Sequence, residues 1–135
     1  MKIFVDTNIL LDILIPRKDR SYTENSAVFL ELRNKTGYEL CVSTISMATC
    51  SYFLKDREDS VKRLRLLTKN LTILDTLASD FLTALKAKQP DIEDAMQFSV
   101  AASNHCDLIV TRDKTGYANS PVPYMTPESV LSIVQ

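Results

Sequence analysis

This sequence has no excess of either charge: 16 basic and 17 acidic side chains nearly cancel. The total therefore predicts neither attachment to a membrane surface nor a strong non-specific grip on nucleic acid, and any polyanionic partner has to be held locally. Cysteine is scarce as well. Cys41, Cys50 and Cys106 are odd in number, widely separated and without a CxxC pair, which argues against a disulfide framework and a zinc site and fits a reducing cytoplasm. No apolar run approaches the length that spans a bilayer, and the chain enters a strand-like segment without a basic stretch and long apolar stretch ahead of it. The expectation is a cytoplasmic protein, neither exported nor embedded. What is present is ordinary for a globular protein: 45% hydrophobic and 24% charged residues in a chain of 135, suited to one domain over 1–135 with a real core. There is no internal repeat, low-complexity tract or second domain.

The most informative stretch is the first, Lys2-Ile3-Phe4-Val5-Asp6-Thr7-Asn8. Ile3, Phe4 and Val5 are β-branched or aromatic and do not alternate with polar residues, the pattern of a strand buried on both faces and therefore mid-sheet. Asp6 falls at its C-terminal end. Thr7 or Asn8 can cap a helix that continues to Leu14, before Pro16. In open α/β sheets ligands bind outside the carboxyl ends of the strands, so Asp6 is placed for chemistry, although capping a helix also explains an acid there.

Beyond a polar connection at residues 17–21, with Ser21 or Thr23 available as a cap, Ala27, Val28, Leu30 and Leu32 form an amphipathic helix that ends near Gly37. Residues 40–42 are a short strand. Ser43 or Thr44 then caps a third helix, which starts at the same sheet edge as Asp6 because it follows directly from a strand. The most basic window, residues 55–69, carries Lys55, Arg57, Lys62, Arg63, Arg65 and Lys69 with helical apolar spacing. A solvated helix face with internal ion pairs and a phosphate-tracking surface both fit it. Residues 71–74 are a third strand, closing on Asp75, and a helix through Phe81, Leu82, Leu85 and Lys86 follows.

After Pro90, Asp91-Ile92-Glu93-Asp94 opens a long helix striped with Ala95, Phe98, Ala101, Ala102 and Cys106. The helix dipole favours acids in a first turn, so these have a structural explanation of their own, and Asp91 and Asp94 can form a reciprocal cap. Residues 107–111 make another buried strand, which stops at Arg112-Asp113. A helix leading into a parallel strand begins at the edge where that strand will end, so Asp94 and Asp113 share the rim with Asp6. Residues 122–125 form a short edge strand, and a last helix has Thr126 at its N-cap and Pro127 at its first position.

Strands alternating with helices predict a three-layer α/β sandwich around a mostly parallel sheet. Several carboxylates around one cavity repel one another unless protons or divalent cations neutralise them, and hard oxygen ligands suit magnesium or manganese. Such a site can hold a phosphodiester, generate a hydroxide and stabilise a leaving oxygen with no histidine or serine nucleophile. That fits the inventory, because the single histidine, His105, lies at the far end of its helix, some 15 Å or more from Asp94 at about 1.5 Å per residue.

Asp6-Thr7-Asn8 after the first strand, Asp94 opening the penultimate helix and Val110-Thr111-Arg112-Asp113 closing the next strand resemble the PIN-domain nucleases. The likeness covers essentially the whole chain and is nearest to a bacterial, toxin-type ribonuclease subgroup in which the acid segment reads like Asp91-Ile92-Glu93-Asp94-Ala95-Met96-Gln97. The resemblance implies a five-stranded parallel sheet in the order 3-2-1-4-5, magnesium or manganese as the ion, and single-stranded or structured RNA as substrate. Many small relatives are toxins of toxin–antitoxin pairs that act as homodimers and are silenced by an antitoxin reaching into the acidic site. Carried over, Asp6, Asp94 and Asp113 would be the catalytic metal ligands, with Asn8 and Thr111 supporting them. There is one departure: many members carry a glutamate on the third helix, where Thr49 stands here. Glu93 is the first candidate to compensate and Asp12 another. Lys62, Arg63 and Arg112 are candidates to contact RNA, and for Arg17 and Arg20 a place beside the groove and one facing away are both open.

The competing reading keeps the scaffold and gives up the chemistry: without its fourth acid the site would bind metal more weakly, and the protein would hold RNA or a protein partner. Two further readings fit less well. A phosphoacceptor receiver would use Asp6 and Asp75, but it wants paired acids after the first strand, where Thr7 follows Asp6. A haloacid-dehalogenase-like phosphatase would want Asp where Asn8 stands.

Overall fold

The computed structural model describes residues 1–15 and 20–134. Its sheet is built from β1 (Lys2–Val5), β2 (Glu39–Ser43), β3 (Leu71–Leu74), β4 (Leu108–Val110) and β5 (Tyr124–Met125), in the order β3-β2-β1-β4-β5. All four pairings are parallel, with Ile3 opposite both Leu40 and Leu108, and Phe4 opposite both Cys41 and Ile109. The central position of β1 follows from its composition, since an apolar strand without alternation needs cover on both faces. Side chains point alternately to the two faces. Ile3, Val5, Leu40, Val42, Leu108 and Val110 therefore share one core, and Phe4, Cys41 and Ile109 another.

The first core is closed by α1 (Thr7–Leu14), α2 (Arg20–Arg33), α3 (Thr44–Leu54), α4 (Ser60–Thr68) and α7 (Pro127–Val134), which supply Leu10, Phe29, Leu54, Leu67 and Val130. The second is closed by α5 (Ala78–Lys86) and α6 (Ile92–Ser103) through Ala84, Ala95, Phe98 and Ala101, joined by Tyr117. The result is the expected three-layer sandwich. Because the strands are parallel, every helix that leaves one starts at the same edge, the one carrying Asp6.

Local signals mostly act as expected. Ser43 caps α3, its hydroxyl accepting from the Ser46 N–H at 3.1 Å. Thr126 caps α7 by accepting from the Ser129 N–H at 3.3 Å. Two expectations are corrected. The first-helix cap position is Asp6, not Thr7 or Asn8, and Asp6 makes no side-chain cap bond because its carboxylate turns into the site. The second helix is already formed at Arg20, so Ser21 and Thr23 lie within it, and it stops at Arg33. Gly37 lies in the turn that follows, in left-handed conformation with φ +94°, a geometry that glycine takes without a Cβ penalty. The connection expected at 17–21, with Arg17, falls mostly outside the described residues, as does the Arg20 side chain. Cys41, Cys50 and Cys106 are buried and free.

Candidate active site

At the carboxyl edge of β1 and β4 lies a cavity of about 350 Å³. Asp91, Glu93 and Asp94 line it from the start of α6, Asp113 from the loop after β4, and Asp6 from the end of β1. Asn8 and Thr49 line it from α1 and α3. The three elements expected to share a rim therefore do. Asp6 sits deepest, 4% exposed, and each of its oxygens is held: the Thr111 hydroxyl donates to Oδ2 at 2.7 Å and the Tyr117 hydroxyl to Oδ1 at 2.9 Å. Thr111 in turn accepts from the Asp113 N–H at 3.0 Å, so one hydroxyl orients two of the acids.

Asp91 caps α6, its Oδ1 accepting from the Glu93 and Asp94 N–H groups at 2.9 and 3.3 Å. This is the structural role that an acid before a helix can always take, and it leaves Glu93 and Asp94 to face the cavity. Asp113 Oδ1 accepts from the Gly116 N–H at 2.8 Å. A Cβ on Gly116 would lie 2.4 Å from Asp94 Oδ2 and 2.5 Å from Asp113 Oδ2, so both carboxylates face the space beside this glycine.

The electrostatics record the crowding. Burial pushes the Asp94 carboxyl up to about 7, helped by the neighbouring charges of Asp91, Asp6, Asp113 and Glu93. Asp6 is also raised, chiefly by burial, against the opposing hydrogen bonds from Thr111 and Tyr117. Glu93 is raised by burial and then by Asp91 and Asp6. Tyr117 is held well above its ordinary value by burial and by the acid beside it, so it stays a donor.

Under this acidic floor runs a neutral network. Gln97, 1% exposed, donates from Nε2 to Thr7 Oγ1 at 2.8 Å and to Ser46 Oγ at 2.9 Å, and its Oε1 accepts from the Ser43 hydroxyl at 2.6 Å. It ties α6 to the starts of α1 and α3, which fixes the spacing of the walls.

Neither Tyr117 nor this network was legible as functional in the sequence. Gln97 lies one turn after Asp94 on α6, at the i, i+3 spacing that places it on the same side. A buried glutamine in an apolar stripe is a signal, though not one that names its partners. Tyr117 sits in a turn-rich loop with no periodicity to mark it. Replacing Tyr117 with Phe leaves Asp6 Oδ1 without that donor, and is expected to lower stability by about 1–2 kcal/mol. Denaturant unfolding measures this; an unchanged midpoint would show that the phenol does not hold Asp6.

The remaining candidates disperse. Asp12 does not line the cavity. Arg63 is ion-paired with Asp59 at 2.7 Å and donates to the Leu14 carbonyl at 2.9 Å, which makes it a tie between α4 and the end of α1, beside a different groove. The solvated-face reading of the basic window describes this residue better than phosphate tracking does. Lys62 is exposed on α4. Arg112 is half-buried and pairs with Glu128 of α7 at 2.6 Å. His105 is exposed beyond α6 with φ +57°. Asp75 ends β3, two strands from Asp6, so the two acids of the receiver reading do not meet.

A family model described as a PIN domain matches residues 2–115. This chain belongs to the PIN-domain family. It is 27% identical over 125 residues to the ribonuclease VapC1 of Aquifex aeolicus (strain VF5), with 87% of this chain and 85% of that protein covered. Among solved structures it is similar to a toxin–antitoxin complex from Klebsiella pneumoniae, with a TM-score of 0.71, 20% identity, and coverage of 93% of this chain and 97% of that one. It is also similar to VapBC2 from Rickettsia felis bound to a DNA fragment from their promoter, with a TM-score of 0.69, 17% identity, and coverage of 93% and 98%. At these identities the structural likeness is one of fold. The chain spans nearly the full length of these proteins, and among the described residues no helix is long and apolar enough to cross a membrane.

The donor set of this PIN domain suits a hard divalent cation: carboxylate oxygens from three elements, a raised Asp94 and an adjoining amide at Asn8. Among the described residues no three His, Cys, Asp or Glu side chains stand close enough to cage an ion. As they stand, these carboxylates would hold a hard cation through one or two direct ligands and reach it otherwise through its waters.

Proposed function

We propose that this protein is a metal-dependent endoribonuclease, with Asp6, Asp94 and Asp113 as the ligands of magnesium or manganese and Glu93 as the acid that offsets Thr49. The observation that carries the proposal is the convergence of these carboxylates on one cavity at the carboxyl edge of the sheet, with Asp94 pushed up to about 7. A bound cation would polarise the scissile phosphodiester and lower the pKa of an attacking water. The chain's own residues do the rest: Thr111 and Tyr117 fix the rotamer of Asp6, the Gly116 N–H fixes Asp113, and the N-terminal turn of α6 presents Glu93 and Asp94. The name of the Aquifex relative, a ribonuclease, supports RNA as the substrate.

Manganese titration by calorimetry, with RNA cleavage followed in the same buffers, tests this reading. Binding with cleavage supports it, and neither at millimolar metal would sink it in favour of a scaffold that binds RNA or a protein. Thr49 is the observation favouring that second reading, since a neutral hydroxyl lines the cavity where many relatives place a carboxylate. Asp94 adds a pH arm. Its folded-state pKa is raised above the unfolded value, so the metal-free fold binds the extra proton and loses stability as pH rises from about 4 through about 7. Magnesium replaces that proton, so the rise in Tm on adding it is expected to be larger at pH 8 than at pH 5.5. Equal increments would remove Asp94 from the ligand set.

The toxin–antitoxin complexes among its structural neighbours support an antitoxin as partner. An apolar groove between α1, α2 and α4, lined by Ile13, Phe29, Leu30 and Leu66, with Leu30 and Leu66 more than half exposed, suits such a segment. We further propose a single domain acting as a cytoplasmic homodimer.

A further inference from the structure

The acid cavity has a second wall, whose apolar side chains Leu11, Ile15 and Phe53 have no part in metal chemistry. Asn8, Leu11 and Ile15 succeed one another at spacings of three and four residues along and just beyond α1, and Thr49 and Phe53 are four apart on α3. Those spacings bring each set onto one side of its helix, and all five line the same cavity as Asp6, Asp94 and Asp113. One side of the cavity is therefore acidic, and the other is apolar with an amide and a hydroxyl beside it. Phe53 is 54% exposed and meets the ring of Tyr52, itself 61% exposed, edge-on at 5.5 Å. The Lys55 ammonium lies 4.3 Å from the centre of the Tyr52 ring, which brings a positive charge to the same end of α3.

We propose that this apolar wall seats an unpaired nucleobase of the RNA substrate, stacked on the Phe53 ring, while the neighbouring phosphodiester lies over the acids. The inference rests on the nuclease reading and names the form of RNA that the site accepts. A nucleotide is amphipathic in the same way as the cavity, with an anionic phosphodiester that needs a cation and a flat base that needs an apolar face. Stacking also solves an affinity problem, because an acidic site repels a polyanion and gains little from the backbone alone. Thr49 sits one helical turn before Phe53 and lines the same cavity, which leaves its hydroxyl within the region a stacked base would occupy. A paired base hides its faces within the stack, so the wall selects single-stranded RNA, loops or bulges over duplex.

The test uses short single-stranded RNAs with one fluorescent 2-aminopurine at successive positions, mixed with the whole protein in magnesium by stopped flow and read before product forms. Wild type is expected to quench the probe at one position. Phe53→Ala, and Phe53→Leu, which keeps an apolar side chain without a ring, are expected to lose that quench and weaken binding about 5- to 150-fold, the range for one stacked base. Phe53→Trp is expected to restore both. In cleavage assays the defect should fall on KM, with kcat retained. Because Phe53 is half exposed, these variants keep the fold.

Quenching at no position, or a Phe53→Leu variant that binds like wild type, overturns the proposal. So does sedimentation showing that Phe53→Ala only separates two subunits while RNA affinity is unchanged, which would make this face a protein interface. Wild-type cleavage without quenching overturns the stacking alone, whereas absence of both binding and cleavage overturns the nuclease reading with it.

Discussion

Asp6→Asn is expected to remove RNA hydrolysis and divalent-cation binding together while leaving the fold in place. Even outer partners of metal ligands cost roughly 10- to 100-fold in affinity or activity when removed, so loss of a ligand carboxylate should exceed about 100-fold. The fold should survive for local reasons. Asp6 receives two hydroxyl donors, from Thr111 and Tyr117, and an asparagine offers one acceptor and one donor in the same volume. A hydroxyl can turn from donating to accepting, so the pair can be satisfied again. The substitution also removes a buried carboxyl whose ionisation is opposed by burial, with no cationic partner among the described residues to be stranded. Calorimetric titration, a cleavage assay and a thermal melt on one preparation separate the outcomes. A folded variant that still cleaves would remove Asp6 from the chemistry.

Gly116→Ala should produce the second largest effect, with a different signature. The new methyl would lie 2.4 Å from Asp94 Oδ2, 2.5 Å from Asp113 Oδ2 and 2.9 Å from Asp113 Cγ. Contacts this short cannot persist, and what yields is the end of two side chains rather than backbone. Stability should therefore change little, while both carboxylates leave their places. Misplacement of reacting groups by about 1 Å costs on the order of 100-fold in rate, and that is the loss expected in cleavage at a nearly unchanged unfolding midpoint. A variant with full activity would show that Asp94 and Asp113 do not act from these positions.

These two positions also show where reading the chain succeeds and where it stops. Asp6 stands out because it ends an apolar run that has no helical length. Asp94 and Asp113 follow from topology, since parallel strands joined by helices return each helix start to one edge. Gly116 has no such mark. Its requirement comes from two carboxylates that approach it from different elements, a contact between residues 22 apart and 3 apart in the chain. Thr49 is intermediate: only the resemblance to PIN-domain nucleases pointed to it, and it does line the cavity.

The buried central strand and the shared edge of the acids were already implied by the chain, because periodicity, strand composition and parallel topology are rules that need no coordinates; the sheet order came only with the resemblance to PIN-domain nucleases. What the tertiary structure alone decided is which long side chains and loop residues meet there. Arg63 goes to the Leu14 carbonyl and Asp59, Arg112 to Glu128, and Tyr117 to Asp6, 111 residues away. The physical reason is reach. A main chain in regular structure places a Cβ within narrow limits, whereas an arginine, a glutamine or a tyrosine on a loop finds its partner by packing against residues that no local pattern identifies.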